Sequence, residues 1–143
     1  MDGSFEKQFS ELQADMISVC FEYCERKSDT IFVHFICENN SIFANFFFRI
    51  DGNMRKKGRL DDSGTPVSVM RQKEALSIIT NDMRAILSLC DQNSKPVPTE
   101  IRIVYDVKKD SLRADYHYDQ ICSSEKTDRA VSDEWFDELS QEN

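Results

Sequence analysis

The chain has 143 residues, 40% hydrophobic and 31% charged, which fits one globular domain with a single core and excludes an intrinsically disordered chain. A formal net charge of −8 argues against direct nucleic-acid binding, which needs a basic face to hold phosphate. The same charge would steer a basic protein toward this one, although acidity also serves solubility alone.

In chain order, Phe5, Phe9, Leu12, Met16, Val19, Cys20 and Tyr23 recur at spacings of three and four. That is one face of an amphipathic helix, with Ser4 as its cap and an end near Arg26 or Lys27. Residues 30–37, β-branched and aromatic, predict a strand. A polar turn follows, and residues 42–50 predict a second strand, apolar at nearly every position and so central or covered on both sides. Asp51-Gly52 predicts a tight turn into a short third strand within residues 54–60. Its basic run, Arg55-Lys56-Lys57 and Arg59, suits the protection of a sheet edge better than nucleic acid. Residues 67–90 predict the second long helix, starting at Thr65-Pro66, with Val69 or Met70, Leu76, Ile79, Met83, Ile86, Leu87 and Cys90 inward. Residues 101–107 and 112–119 predict a hairpin turning at Asp110-Ser111. A third helix is expected over residues 126–139 with Val131, Trp135, Phe136 and Leu139 inward, and residues 140–143 are expected to fray.

The order α-β-β-(β)-α-β-β-α, joined by short turns, predicts one α+β domain over residues 1–143. Its antiparallel sheet has four to five strands, with helices packed mainly on one face. Five cysteines, Cys20, Cys24, Cys37, Cys90 and Cys122, form no C-x-x-C pair and leave one over in any disulfide scheme. MDGSFEKQFSEL has no basic region followed by an apolar run, and no segment has the length of a bilayer span. The expectation is a cytoplasmic protein with free thiols and no membrane partner.

The chemistry-bearing residues are sparse. The two histidines, His34 and His117, both fall in predicted strands. Cys20 and Cys24 lie one helical turn apart, but no second ligand pair accompanies them and Cys20 sits on the apolar stripe, so buried thiols are expected. No G-x-S-x-G elbow is present. Cys122 and His117 are neighbours in sequence, but reach in sequence is not the geometry a Cys–His pair needs. Gly3, Gly52, Gly58 and Gly64 are scattered and build no phosphate loop. Strand alternation puts Arg113, Asp115, His117 and Asp119 on one face and Leu112, Ala114, Tyr116 and Tyr118 on the other. The Asp115, His117, Asp119 row could hold a cation or act as acid and base. A solvated face balanced by Arg113 is the plainer reading. Toward the carboxyl end, Glu125, Asp128, Asp133, Glu134, Asp137, Glu138 and Glu142 face only Lys126 and Arg129. On a helix Asp133 and Asp137, and Glu134 and Glu138, stack like charges one turn apart. Trp135, the only tryptophan, belongs to the core unless partly exposed, when it becomes an anchor for a partner.

Pro98-Thr99-Glu100 leading into IRIVYDVKKDSLRADYHYD and then DEWFDEL resembles the YezG-like family of bacterial immunity proteins. These are cytoplasmic antidotes of polymorphic toxin systems. The likeness covers residues 97–139 and extends to FFFRIDGNMRKKGRL, residues 46–60, where a hydrophobic strand runs into an Asp-Gly turn. The amino-terminal portion agrees only in layout, a helix and then a strand. Members share a scaffold while neutralising different toxins, so the resemblance implies a role and not a target. It carries over no catalytic residue, and it implies a protein that binds a cognate toxin domain, a role that requires neither cofactor nor turnover. A basic nuclease would suit the acidity. The expected contact set is Asp115, Tyr118, Asp119, Glu125, Asp128, Asp133, Glu134, Trp135, Asp137 and Glu138. The alternatives are a small metal-dependent enzyme using Asp115, His117 and Asp119, or an intracellular adaptor with no toxin partner.

Overall fold

A computed structural model describes residues 2–60 and 67–142. Its elements are α1 (Asp2–Tyr23), β1 (Thr30–Glu38), β2 (Ser41–Ile50), β3 (Asn53–Lys56), α2 (Val69–Gln92), β4 (Glu100–Asp106), β5 (Ser111–His117) and α3 (Asp128–Ser140). The strands form one antiparallel sheet in the order β3-β2-β1-β4-β5. This is the α+β fold expected from the sequence, with all five strands present.

Local chemistry explains the turns. Asn39 and Asn40 join β1 to β2 with φ of 53° and 60°, and Asp51 and Gly52 join β2 to β3 with φ of 52° and 80°. Two successive left-handed residues define the hairpin turn that matches strand twist. A Cβ on Gly52 would touch nothing within 4 Å, so its backbone angle alone favours glycine there. Helix α1 stops at Tyr23, short of the expected Arg26, because Glu25 and Arg26 are themselves left-handed, at 57° and 61°. Arg26 then folds back to pair with Glu22. Ser4 lies inside α1 and accepts from Gln8 Nε2 at 3.0 Å rather than capping the helix. Ser68 caps α2 by accepting from Arg71 N at 3.2 Å, and the expected start at Thr65-Pro66 lies outside the described residues. Val69 and Met70, one of them expected inward, are 64% and 69% exposed, and Ala75 takes the first inward position of α2. Thr127 caps α3, accepting from Ala130 N at 3.1 Å.

Strand alternation divides the core in two. Ile31, Val33 and Phe35 of β1, Phe46 and Phe48 of β2, and Ile101 and Ile103 of β4 pack against Met16, Cys20 and Tyr23 of α1 and Ile79, Met83 and Ile86 of α2. The opposite face carries Phe32 and Phe47, which pack on Trp135 and Leu139 of α3. The two longer helices thus share one face, and α3 takes the other. Strand β2 is covered on both sides, which accounts for its unbroken apolar run.

Candidate functional site

The α3 face of the sheet is built in rows. Registered pairs align Phe47 with Phe32 and Phe32 with Val104, an apolar row. The next row on this face aligns Asn45 with His34, His34 with Arg102, and Arg102 with Asp115. Polar residues therefore cross four strands directly beside the aromatic cluster. Trp135 lies against His34, ring centroids 5.0 Å apart, with the Arg102 guanidinium 5.1 Å from its own ring centre.

A hydrogen-bonded chain runs through this row. His34 Nε2 is 2.6 Å from Glu100 Oε2, and His34 Nδ1 is 2.9 Å from Ser132 Oγ. Glu100 also accepts from Arg102 Nε at 3.1 Å and from His117 Nδ1 at 2.7 Å. Burial pushes the Glu100 carboxyl up, but hydrogen bonds from His34 and Arg102 and the Arg102 charge outweigh it, leaving the group at about 2. Burial lowers His34 below its ordinary value against the pull of Glu100, so the imidazole is neutral at neutral pH. An ionised Glu100 can only accept, which puts the His34 proton on Nε2. Nδ1 then accepts from the Ser132 hydroxyl. Ser132 Oγ accepts from Asn45 Nδ2 at 3.0 Å, and Asn45 Oδ1 accepts from Lys57 Nζ at 2.7 Å and Phe46 N at 2.9 Å. Burial, with Arg129 and Lys56 nearby, lowers Lys57. Donors thus point one way, from Lys57 to Glu100, through four elements and the turn that carries Lys57.

Ser132, His34 and Glu100 repeat the connectivity that activates a serine nucleophile. Ser132 and His34 are fully buried, at 0% exposure each, so the trio fastens α3 to the sheet instead of presenting a hydroxyl. Glu38 anchors the connection into α3: its Oε2 accepts from Ile121 N at 2.7 Å and its Oε1 from Cys122 N at 3.0 Å.

The expected contact residues separate into three groups. Asp133, Glu134, Asp137 and Glu138 are exposed on α3, and Glu134 pairs with Lys126 at 2.9 Å. Asp115 is exposed on β5 and faces the same side of the sheet as α3. Tyr118, Asp119 and Glu125 are exposed in the connection between β5 and α3, with Tyr118 at 53%. Asp128 is half-buried in the first turn of α3, where its charge suits the helix N-terminus. Trp135 is 6% exposed. It is core, so the exposure an anchor needs is missing. The acidic helix is also less isolated than the sequence alone suggests, because Lys56, Lys57, Arg129 and Asp133 line one recess with Phe136.

The Asp115, His117, Asp119 row does not converge: His117 turns to Glu100, and Asp119 lies past the end of β5. Among the described residues no three His, Cys, Asp or Glu side chains gather as a metal site. No hydrogen bond among the described residues joins His117 to Cys122 either. The Cys122 thiol, raised by burial and by its contact with Glu38 to about 11, is protonated. Cys20 and Cys24 are buried at 0% and 2%, and burial pushes Cys20 up strongly. Sequence reasoning missed Glu100, Arg102, Ser132, Asn45 and Lys57. The available signal was polar residues at inward positions, Glu100 opening an apolar strand and Ser132 beside Val131 on the inward stripe.

Among the described residues no helix is long and apolar enough to cross a membrane. No protein-family model matches the chain, and no curated protein sequence matches it.

Proposed function

We propose that this chain is a cytoplasmic immunity protein that binds and occludes a cognate toxin domain, a basic nuclease. The sequence resemblance to YezG-like immunity proteins supports the role, and the net charge of −8 supports a basic partner. One observation carries the mechanism: Asp133, Glu134, Asp137 and Glu138 stand exposed on a helix held down by buried Trp135, Leu139 and Ser132. Carboxylates on an immobilised helix meet a partner with little ordering cost. Their mutual repulsion one turn apart is relieved when a cationic surface arrives. A nuclease cleft is such a surface because it must hold phosphate, and the carboxylates stand in for that phosphate. Binding alone blocks the cleft, so neither cofactor nor turnover enters, and nucleic acid is not itself bound.

Co-expression tests the role. An immunity gene lies directly beside the gene of its toxin, so cells making the toxin domain encoded next to this chain should grow only when the chain is made with it. Growth arrest in the presence of well-expressed chain would contradict the reading.

A further inference from the structure

The sheet has two edges, β3 and β5. Strand β3 offers four residues with charges of one sign, Arg55 and Lys56, which suits a guarded edge. Strand β5 offers seven residues, Ser111–His117, and among the described residues it pairs only to β4. An open strand is a template for another strand. We propose that the β5 edge pairs with the β5 edge of a second copy, antiparallel and centred on Ala114, joining two five-stranded sheets into one.

Symmetry and charge select that register. A two-fold axis normal to the sheet keeps each side chain on its own face, so facing residues must both be odd-numbered or both even-numbered. With Ala114 on the axis all seven residues pair. Ser111 faces His117 of the second copy, Leu112 faces Tyr116, and Arg113 faces Asp115, each contact made twice. The two neighbouring registers put Arg113 opposite Arg113 or Asp115 opposite Asp115, and like charges directly opposed destabilise a ladder. Full overlap and charge complementarity therefore coincide in one alignment.

Two further observations fit. Among the described residues neither Arg113 nor Asp115 makes an ion pair within its own chain, so each is available to the other copy. On the opposite face Leu112 is 39% exposed and Tyr116 half-buried, and each borders an open groove against α1, of about 470 and 510 Å³. In the paired edge Leu112 of one copy lies against Tyr116 of the other and covers apolar area that the single chain leaves wet. Repulsion between two chains of charge −8 opposes association, but it is screened beyond about 8 Å in physiological salt. The arrangement stands apart from the immunity reading: it occupies Asp115 and leaves the α3 carboxylates clear.

Analytical ultracentrifugation of the full chain over a concentration series tests it. The expected mass rises toward twice 16.6 kDa. Arg113→Asp and Asp115→Arg should each leave a monomer, and the two together should restore the dimer, because the swap rebuilds both ion pairs in mirror order. The register has its own test in a background where Cys37 and Cys122 are serine. Ala114→Cys should form an intermolecular disulfide, since facing Cα atoms on the axis are about 4.5 to 5.5 Å apart. Ser111→Cys should not, because its copies lie roughly 20 Å apart along the strands. A wild-type chain that is monomeric throughout the series overturns the proposal. So does a dimer indifferent to both single charge reversals, or one that cross-links through residue 111 and not through 114.

Discussion

The two faces of the sheet solve the same packing problem with different chemistry. The α1/α2 face is almost wholly apolar, with Phe35, Phe46, Phe48, Ile79, Met83 and Ile86 at 0% exposure. The α3 face joins a small aromatic cluster to a chain of polar groups that runs from half-buried Lys57 and Asn45 to buried Ser132, His34 and Glu100. An apolar interface tolerates small shifts, because its attraction is non-directional. A hydrogen-bonded row does not, since each group left unmatched costs desolvation. The difference teaches that α3 is held in one place and one rotation, which is what a surface helix with a fixed pattern of charge requires.

The sharpest way to separate the faces is a matched pair of truncations. Phe48→Ala on the first face and Glu100→Ala on the second should each cost about 3–5 kcal/mol in urea unfolding, one through a cavity and the other through buried partners left unpaired. Their pH profiles should differ. In the wild type, the unfolded His34 takes a proton near 6.5 that the buried imidazole refuses, so stability begins to fall as pH drops through that value. A second loss follows from about 4.5 toward 2, as the unfolded Glu100 carboxyl protonates before the folded one. Phe48→Ala should keep the lower limb, and Glu100→Ala should shrink it to what is left by carboxyls such as Glu38, where desolvation is outweighed by backbone hydrogen bonds that lower it. Persistence of the whole limb in Glu100→Ala would assign it to other carboxyls.

Smaller effects sharpen the same contrast. Ser132→Ala leaves His34 Nδ1 and Asn45 Nδ2 unmatched and should cost about 1–3 kcal/mol, without changing the unfolding of the α1/α2 face in hydrogen exchange. Asp82 of α2 runs the opposite pH course. Burial, and its bond to Asp15 across the two helices, raise it to about 7. A raised acid is favourable below its unfolded value of 3.8, and that contribution is lost as pH rises toward 7. Asp82→Asn should therefore stabilise the chain above neutrality, by about 1 kcal/mol or less given solvent access to the pair, and change little in acid. Smallest of all, Asp137→Lys should raise stability by a few tenths of a kcal/mol by removing a like-charge neighbour.

Periodicity carried most of the fold. The β-branched and aromatic run in residues 30–37, the nearly unbroken apolar run in 42–50 and the three- and four-residue spacing of Ile79, Met83 and Ile86 announce their own burial. Two things were not legible. The ends of helices depended on single backbone angles, as at Glu25 and Arg26, which no side-chain pattern encodes. The polar row depended on strands distant in sequence coming into register, so that His34 met Glu100 and Ser132 rather than the Asp115 and Asp119 that surround His117. Trp135 shows the limit of composition: an aromatic suited to a binding surface is equally suited to lie beneath one, and its ring sits on Phe32 and Phe47.

The central claim is that the outer carboxylates of α3 meet a basic partner. Calorimetric titration of the toxin domain encoded beside this chain tests it, with wild type and the variant carrying Asp133→Lys, Glu134→Lys, Asp137→Lys and Glu138→Lys, each at low and high salt. The account predicts that wild-type affinity falls as salt rises, and that the variant binds about a hundredfold or more weakly with little salt dependence left. Equal affinities for the two proteins, with the same response to salt, would contradict it.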